Sequence, residues 1–204
     1  MIYNIIFDLD GVLFDGSDLH ANLFIEALNT LVPEMQMTRE RHDSNLHALS
    51  TRQKLKKLGI EPELSDKIYK LKQELTATKM QSVPVNKKVM ELCVALTSRG
   101  YNIFCVSNST RSTVVQCLSG MGVIDYFSGI ISNEDTKEGK PSPEPYLTLF
   151  RICNLNAKEC IIVEDSPCGL ESARKSGAHV LPVKDCDDVT LRKILQAVSS
   201  IDNA

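Results

Sequence analysis

The sequence predicts an α/β protein: a doubly wound parallel sheet with helices on both faces and an inserted all-helical cap. Three observations predict it. An apolar, β-branched run, Ile5-Ile6-Phe7, ends abruptly in Asp8-Leu9-Asp10-Gly11, as a buried strand does at its carboxyl end. From residue 84 onward, strand-like and helix-like patterns alternate, which implies parallel strands covered by helices. Between these two regions only helical periodicity is found.

In chain order, the first strand is followed by Gly16-Ser17, which breaks the pattern. Residues 18–31 then read as a helix, because Leu19, Leu23, Phe24, Ala27, Leu28 and Leu31 recur at helical spacing. Ser50-Thr51-Arg52-Gln53 has capping-box form and opens a short helix that Gly59 closes. Residues 64–79 form another helix, with Leu64, Ile68, Leu71 and Leu75 on one face. This block is rich in Lys and Arg, poor in β-branched residues, and flanked by Gly16 and Pro84. It reads as an insertion on two hinges: a cap of residues 16–83 within a core of residues 1–15 and 84–204.

The core continues with a helix over 86–99 ended by Gly100, a strand over 102–106, and a helix over 110–119. A short strand at 129–132, a helix over 143–153 and a strand over 160–163 follow. A helix over 168–176 stops at Gly177, and a strand at 179–181 leads to a closing helix over 187–198. Residues 202–204 are expected to fray.

Composition narrows the function. With 204 residues the chain is long enough for a full core, and 43% hydrophobic with 24% charged residues is ordinary for a globular protein. A net charge of -3 gives no reason to expect nucleic acid or a membrane surface as partner. No apolar run approaches the ~20 residues of a membrane span. The opening residues lack the basic region of a signal peptide, so a cytoplasmic monomer is expected. The seven cysteines are scattered, without C-x-x-C, and mostly among apolar neighbours. They read as small buried hydrophobes rather than a zinc site or disulfide framework.

Four strand ends carry the chemistry. Asp8 and Asp10 lie one residue apart after the first strand. At ~4 Å and an effective dielectric of about 20, two such charges repel by roughly 4 kcal/mol, so a cation, a proton or water must answer them. A solvated Asp turn is the plainer reading of this pair alone. Ser107-Asn108-Ser109 joins a strand to a helix, and its donors suit an anion, although a plain helix cap would look the same. Lys140 precedes Pro141 in a loop where a lysine is ordinarily solvated. Glu164-Asp165 again ends a buried strand in two acids. Together the four carboxylates call for a hard divalent cation beside Lys140, and Mg²⁺ with a substrate phosphate meets that need. The set fits phosphoryl transfer through an aspartyl-phosphate.

Asp8-Leu9-Asp10-Gly11-Val12, Ser107-Asn108, Lys140-Pro141-Ser142-Pro143 and Val163-Glu164-Asp165-Ser166-Pro167 resemble, in order and context, the haloacid dehalogenase superfamily of phosphohydrolases. The helical insertion is similar to the small cap of its β-phosphoglucomutase-like and phosphoglycolate phosphatase-like members. The resemblance implies that Asp8 attacks phosphorus and ligates Mg²⁺. It implies that Asp10 protonates the leaving oxygen, then activates water, with its carbonyl on the metal. It further implies that Ser107, Asn108 and Lys140 hold phosphoryl oxygens, Lys140 also tethering Asp8. Asp165 would ligate Mg²⁺ directly and Glu164 through water. A branch of the family has a histidine where His20 stands, a position that a plain helix residue would also fill.

The expected function is Mg²⁺-dependent hydrolysis of a small phosphorylated metabolite. A sugar-phosphate mutase is the first alternative, against which Gly16 stands where β-phosphoglucomutases have a hydroxyl residue. A Mn²⁺-dependent D-x-D glycosyltransferase would leave Ser107, Lys140 and Glu164-Asp165 unexplained. A non-catalytic phospho-ligand module would not need Asp10. Gly120 and Gly122 follow a helix rather than a strand, which argues against dinucleotide binding. Substrate choice is expected at residues 39–42 and 50–57, although helical Lys and Arg are ordinarily solvated.

Overall fold

A computed structural model describes residues 1–46, 49–80 and 82–203. Its sheet has five parallel strands: β1 (Asn4–Phe7), β2 (Asn102–Val106), β3 (Phe127–Ile131), β4 (Cys160–Glu164) and β5 (His179–Pro182). Their order is β3-β2-β1-β4-β5. The chain moves outward from β1 to β3, then crosses back to β4 on the other side of β1. The strand order therefore reverses at β1, and the crevice beyond such a reversal is where these sheets bind ligands. Phe7 is level with Cys105 on one side and Val163 on the other. One residue further on, Asp8, Val106 and Glu164 arrive at the same edge. β1 and β4 are buried throughout, which is why they read as continuous apolar runs rather than alternating ones.

The chain divides into two compact units, Gly16–Ser82 and Met1–Asp15 with Val83–Ala204. The first is helical: α1 (Ser17–Leu31), α2 (Arg39–Asn45), α3 (Thr51–Lys57) and α4 (Pro62–Met80). Phe24, Leu28, Met37, Leu46, Leu55 and Ile68 form its apolar centre. The capping box is present: Ser50 Oγ accepts from Gln53 N at 3.3 Å, and Gln53 Oε1 accepts from Ser50 N at 2.9 Å. Helix α2 has no apolar periodicity in R-E-R-H-D-S-N; Thr38 caps it, and His42 is its buried residue.

The second unit adds α5 (Lys87–Thr97), α6 (Arg111–Gly120), α7 (Glu144–Ile152), α8 (Pro167–Lys175) and α9 (Leu191–Asp202) around the sheet. Ile6, Phe104, Val106, Tyr146, Leu149 and Ile162 pack in one cluster, so α7 is seated against the strands that carry the acids. Two expectations at the chain's end need correction. Helix α9 begins after its cap Thr190, not at Asp187, because Asp185 Oδ1 turns the backbone by accepting from Asp187 N and Asp188 N. Asp202 does not fray: it closes α9, and its Oδ1 accepts from Ile2 N at 2.7 Å. Ala204 lies outside the described residues. Cys93, Cys105, Cys117 and Cys160 are buried, whereas Cys168 is exposed on the first turn of α8. Among the described residues no helix is long and apolar enough to cross a membrane.

Candidate active site

Asp8 is the first residue past β1. Its backbone N–H still bonds to Val163 O at 3.1 Å, extending the sheet pairing by one residue and fixing the direction of the side chain. Asp8 Oδ1 accepts from Lys140 Nζ at 2.6 Å. The same ammonium donates to Glu164 Oε2 at 2.7 Å and to Val106 O at 2.9 Å. An ammonium has three N–H groups, and here all three are used inside the protein. Lys140 is therefore buried, not solvated as a loop lysine ordinarily is. Asn108 holds its backbone on both sides: Oδ1 accepts from Lys140 N at 2.9 Å, and Nδ2 donates to Lys140 O at 3.2 Å. In this arrangement Lys140 and the Asn108 amide group bind the protein itself, and Lys140 has no N–H group left over for a ligand.

Glu164 ends β4 with 0% exposure. Its Oε2 accepts from Lys140 and from Tyr146 Oη at 3.1 Å. Its Oε1 accepts from Asp165 N, Ser166 N and Ser166 Oγ at 3.1, 3.2 and 3.0 Å. Ser166 Oγ also caps α8 by accepting from Gly169 N. The carboxylate thus lies between a buried ammonium and the start of a helix, both of which favour negative charge. Burial works against that charge, but Lys140 and Ser166 outweigh it and hold the Glu164 carboxyl below its usual range. Glu164 is a structural anchor for Lys140, a role its position in the sequence does not announce.

The other acids are less well matched. Burial first, and the charge of Glu164 second, push Asp8 well above the usual carboxylate range despite Lys140. Burial and then Glu164 raise Asp165 to about 6. Asp165 Oδ1 is buried with no hydrogen-bond partner among the described residues. Its carboxylate nestles against Gly11, where φ is +86° and a β-carbon would stand 2.1 Å from Oδ2. Asp8, Glu164 and Asp165 each offer an oxygen, all within 4.8 Å of one another. Three acids with a single lysine between them, two of the acids favouring a proton and one oxygen orphaned, have the character of a site one cation short. That donor set, hard oxygens only, fits Mg²⁺.

Asp10 and the end of β2 complete the edge. Asp10 Oδ2 accepts from Ser109 Oγ at 3.1 Å. Ser107 is buried and its Oγ accepts from Ser109 N at 3.0 Å. The Ser107 hydroxyl proton has no acceptor among the described residues, so it is available to an anion. The structure therefore gathers Asp8, Glu164, Asp165 and Lys140 directly, ties Asn108 to Lys140, and ties Asp10 to the Ser107 turn through Ser109.

The family model described as haloacid dehalogenase-like hydrolase matches residues 5–183. The chain belongs to the haloacid dehalogenase-like hydrolases. A haloacid dehalogenase-like hydrolase domain-containing protein of Arabidopsis thaliana is 33% identical over 102 residues, 48% of this chain and 32% of its own length. The chain thus covers about a third of that relative. A phosphorylated carbohydrates phosphatase of Thermotoga maritima is 23% identical over 177 residues, covering 85% of this chain and 81% of the relative. A crystal structure of β-phosphoglucomutase from Clostridium difficile superposes with a TM-score of 0.78 at 21% identity, covering 100% of both chains. At that identity the likeness is one of fold.

Within this haloacid dehalogenase-like framework, Tyr146 is a contributor that no sequence motif includes, whereas Ser109 and Ser166 lie inside the motifs singled out above and take individual roles that those motifs do not announce. Ser166, the residue before a proline at a strand-to-helix turn, carries a helix-cap signal that could have found it. Tyr146 carries none: it occupies an apolar position of α7, and only the fold brings its hydroxyl to Glu164.

Proposed function

We propose that this hydrolase is a Mg²⁺-dependent phosphatase that cleaves a small phosphorylated metabolite through an aspartyl-phosphate on Asp8. The observation that carries the reading is the arrangement of Asp8: one oxygen held at 2.6 Å by Lys140, beside an orphaned oxygen of Asp165. Asp8, Asp165 and the Asp10 backbone carbonyl would hold the ion. Bound there, Mg²⁺ supplies positive charge that favours ionised Asp8 and Asp165 and neutralises phosphoryl oxygens.

This chain's residues then divide the work. The Asp8 carboxylate attacks phosphorus while Asp10 gives its proton to the leaving oxygen, releasing the alcohol. Asp10, now ionised, takes a proton from water, whose oxygen attacks the phosphoryl group. The Asp8–phosphorus bond breaks and inorganic phosphate leaves. Lys140 prevents Asp8 from rotating away and adds charge beside the phosphoryl group. Ser107 donates its hydroxyl to a phosphoryl oxygen, and Ser109 orients Asp10. Relatives named phosphoglycolate phosphatase in Nitrosospira multiformis and pyrophosphatase PpaX in Bacillus cereus, 25% and 24% identical, support phosphomonoester or phosphoanhydride chemistry. A cytoplasmic monomer accords with this reading.

Asp8→Asn tests it. The variant is expected to keep its circular dichroism spectrum and to lose p-nitrophenyl phosphate hydrolysis by about a thousandfold or more. Hydrolysis near the wild-type rate by a folded Asp8→Asn protein would overturn the assignment.

A further inference from the structure

Tyr146 touches both members of the buried Lys140–Glu164 pair. It sits in the first turn of α7, fully buried among Ile6, Phe104, Val106, Leu149 and Ile162. Its hydroxyl lies 3.1 Å from Glu164 Oε2, and the Lys140 ammonium lies 5.2 Å from the centre of its ring. The negative face of an aromatic ring attracts a cation at that range. One side chain thus presents a ring to the ammonium and an O–H to the carboxylate.

Packing alone does not call for a tyrosine here. Phenylalanine would fill the same apolar space with no hydroxyl to satisfy, and a buried hydroxyl without a partner is costly. The Tyr146 hydroxyl is answered at one particular atom. An ionised carboxylate can only accept, so Tyr146 donates. It donates to the same oxygen that takes the Lys140 bond at 2.7 Å. The other oxygen, Oε1, is already occupied by Asp165 N, Ser166 N and Ser166 Oγ.

The segment that carries Lys140 and Tyr146 is pinned on either side of Lys140. Upstream, Lys137 N and Glu138 N donate to the two carboxylate oxygens of Glu144 at 2.9 and 2.8 Å. Downstream, Ser142 O accepts from Ser172 Oγ at 2.6 Å. Both ties hold Tyr146 in place relative to the two charges.

Lys140 divides its charge between two carboxylates, Asp8 at 2.6 Å and Glu164 at 2.7 Å. A carboxylate oxygen has about two lone-pair sites, and on Glu164 Oε2 these are taken by Lys140 and Tyr146. With the phenol in place, Glu164 makes no further claim on the ammonium. Without it, an acceptor site opens among apolar side chains. The carboxylate then draws Lys140 toward itself, at the expense of the bond to Asp8.

We propose that Tyr146 is a positioning residue for the reaction: by filling the second site on Glu164 Oε2 and covering Lys140 with its ring, it keeps the ammonium on Asp8 and the attacking carboxylate in place. The proposal rests on the phosphatase reading and adds to it a residue that acts through Glu164 and Lys140 rather than on the substrate.

Tyr146→Phe tests it, because the variant keeps the ring and the packing and removes only the hydroxyl. With p-nitrophenyl phosphate at saturating Mg²⁺, kcat is expected to fall by more than about threefold while KM stays within about twofold of wild type. Rates are referred to the folded fraction measured by denaturant unfolding, so that lost stability is not counted as lost positioning. A smaller fall in kcat, or a loss carried by KM, overturns the proposal. A second readout needs no turnover. The ¹⁵N signal of the Lys140 ammonium, followed by NMR, is expected to move in Tyr146→Phe although the ring is retained; an unmoved signal overturns the proposal. A wild type that releases phosphate from no substrate, with a Lys140 signal that does move in the variant, sinks the phosphatase reading alone and leaves the hold of Tyr146 on Lys140 standing.

Discussion

A β-carbon on Gly169 would stand 2.0 Å from the carboxyl carbon of Glu164. The first turn of α8 closes directly over the end of β4, and no side chain fits between them. Ser166 connects the two, donating to Glu164 and accepting from Gly169 N. Gly169→Ala must therefore push α8 outward or turn Glu164 away from Lys140. The expected result is a loss of about 1 to 3 kcal/mol of stability in denaturant unfolding, together with reduced phosphatase activity at saturating Mg²⁺. A Gly169→Ala protein with wild-type midpoint and activity would show that Glu164 does not need its place.

The contrast between Gly169 and Asp8 indicates what the sequence discloses. Asp8, Asp10 and Glu164-Asp165 were legible because each follows an apolar run that can only be a buried strand, so their cost was visible before any coordinates. The Ser50–Gln53 capping box was equally legible, since both of its bonds are local. Lys140 was legible only through the family resemblance: taken alone, in a proline-rich loop, it looks solvated, and its burial depends on two strands that are distant in the sequence. Tyr146, Lys54 and Lys72 were missed for the same reason. Helical periodicity treats Tyr as core and Lys as surface, and only tertiary neighbours turn a hydroxyl toward Glu164 or a lysine toward a histidine.

The two adjacent acids at β4 are expected to separate in function. Asp165→Ala removes the carboxylate with the orphaned oxygen and should raise the Mg²⁺ concentration for half-maximal activity by about tenfold or more. Glu164→Ala removes the anchor of a buried lysine and should cost on the order of 3 to 5 kcal/mol of stability, with the smaller change in Mg²⁺ requirement. Activity titrated against Mg²⁺ and unfolding of both variants provide the comparison. Equal Mg²⁺ shifts, or a larger one for Glu164→Ala, would mean that the ligand has been misassigned.

Lys54, buried in the helical unit with its Nζ 2.9 Å from His42 Nε2, predicts a pH dependence of stability. Its amine titrates near 8 in the folded chain against an ordinary value of 10.5. Between those values the unfolded chain holds a proton that the folded chain has released, so stability rises with pH across this window. Below it, the buried charge imposes its full penalty, up to about 3 kcal/mol at low ionic strength. Lys54→Met has no such group. Its advantage over wild type should be greatest near neutral pH and shrink toward pH 10. Parallel unfolding profiles for the two proteins would show that Lys54 is not held in a costly environment.

The last prediction separates hydrolase from mutase. Both would form the phosphorylated Asp8 and both would use Asp10 as the acid of the first half; they differ in the group that accepts the phosphoryl next. A hydrolase admits water and lets Asp10 deprotonate it. A mutase has to exclude that water until a sugar hydroxyl arrives, which requires Asp10 to be restrained in the interval. The residue that opens α1 is Gly16, at φ -99° and ψ 1°, and no side-chain bond caps the helix. Glycine has no hydroxyl with which to restrain anything, and its backbone is permissive. Net release of inorganic phosphate is therefore expected, without accumulation of an isomer. Incubation with β-glucose 1-phosphate and a trace of the 1,6-bisphosphate decides between the two, with glucose 6-phosphate and inorganic phosphate followed together. Glucose 6-phosphate formed much faster than phosphate is released would replace the hydrolase with a mutase built on the same Asp8 chemistry.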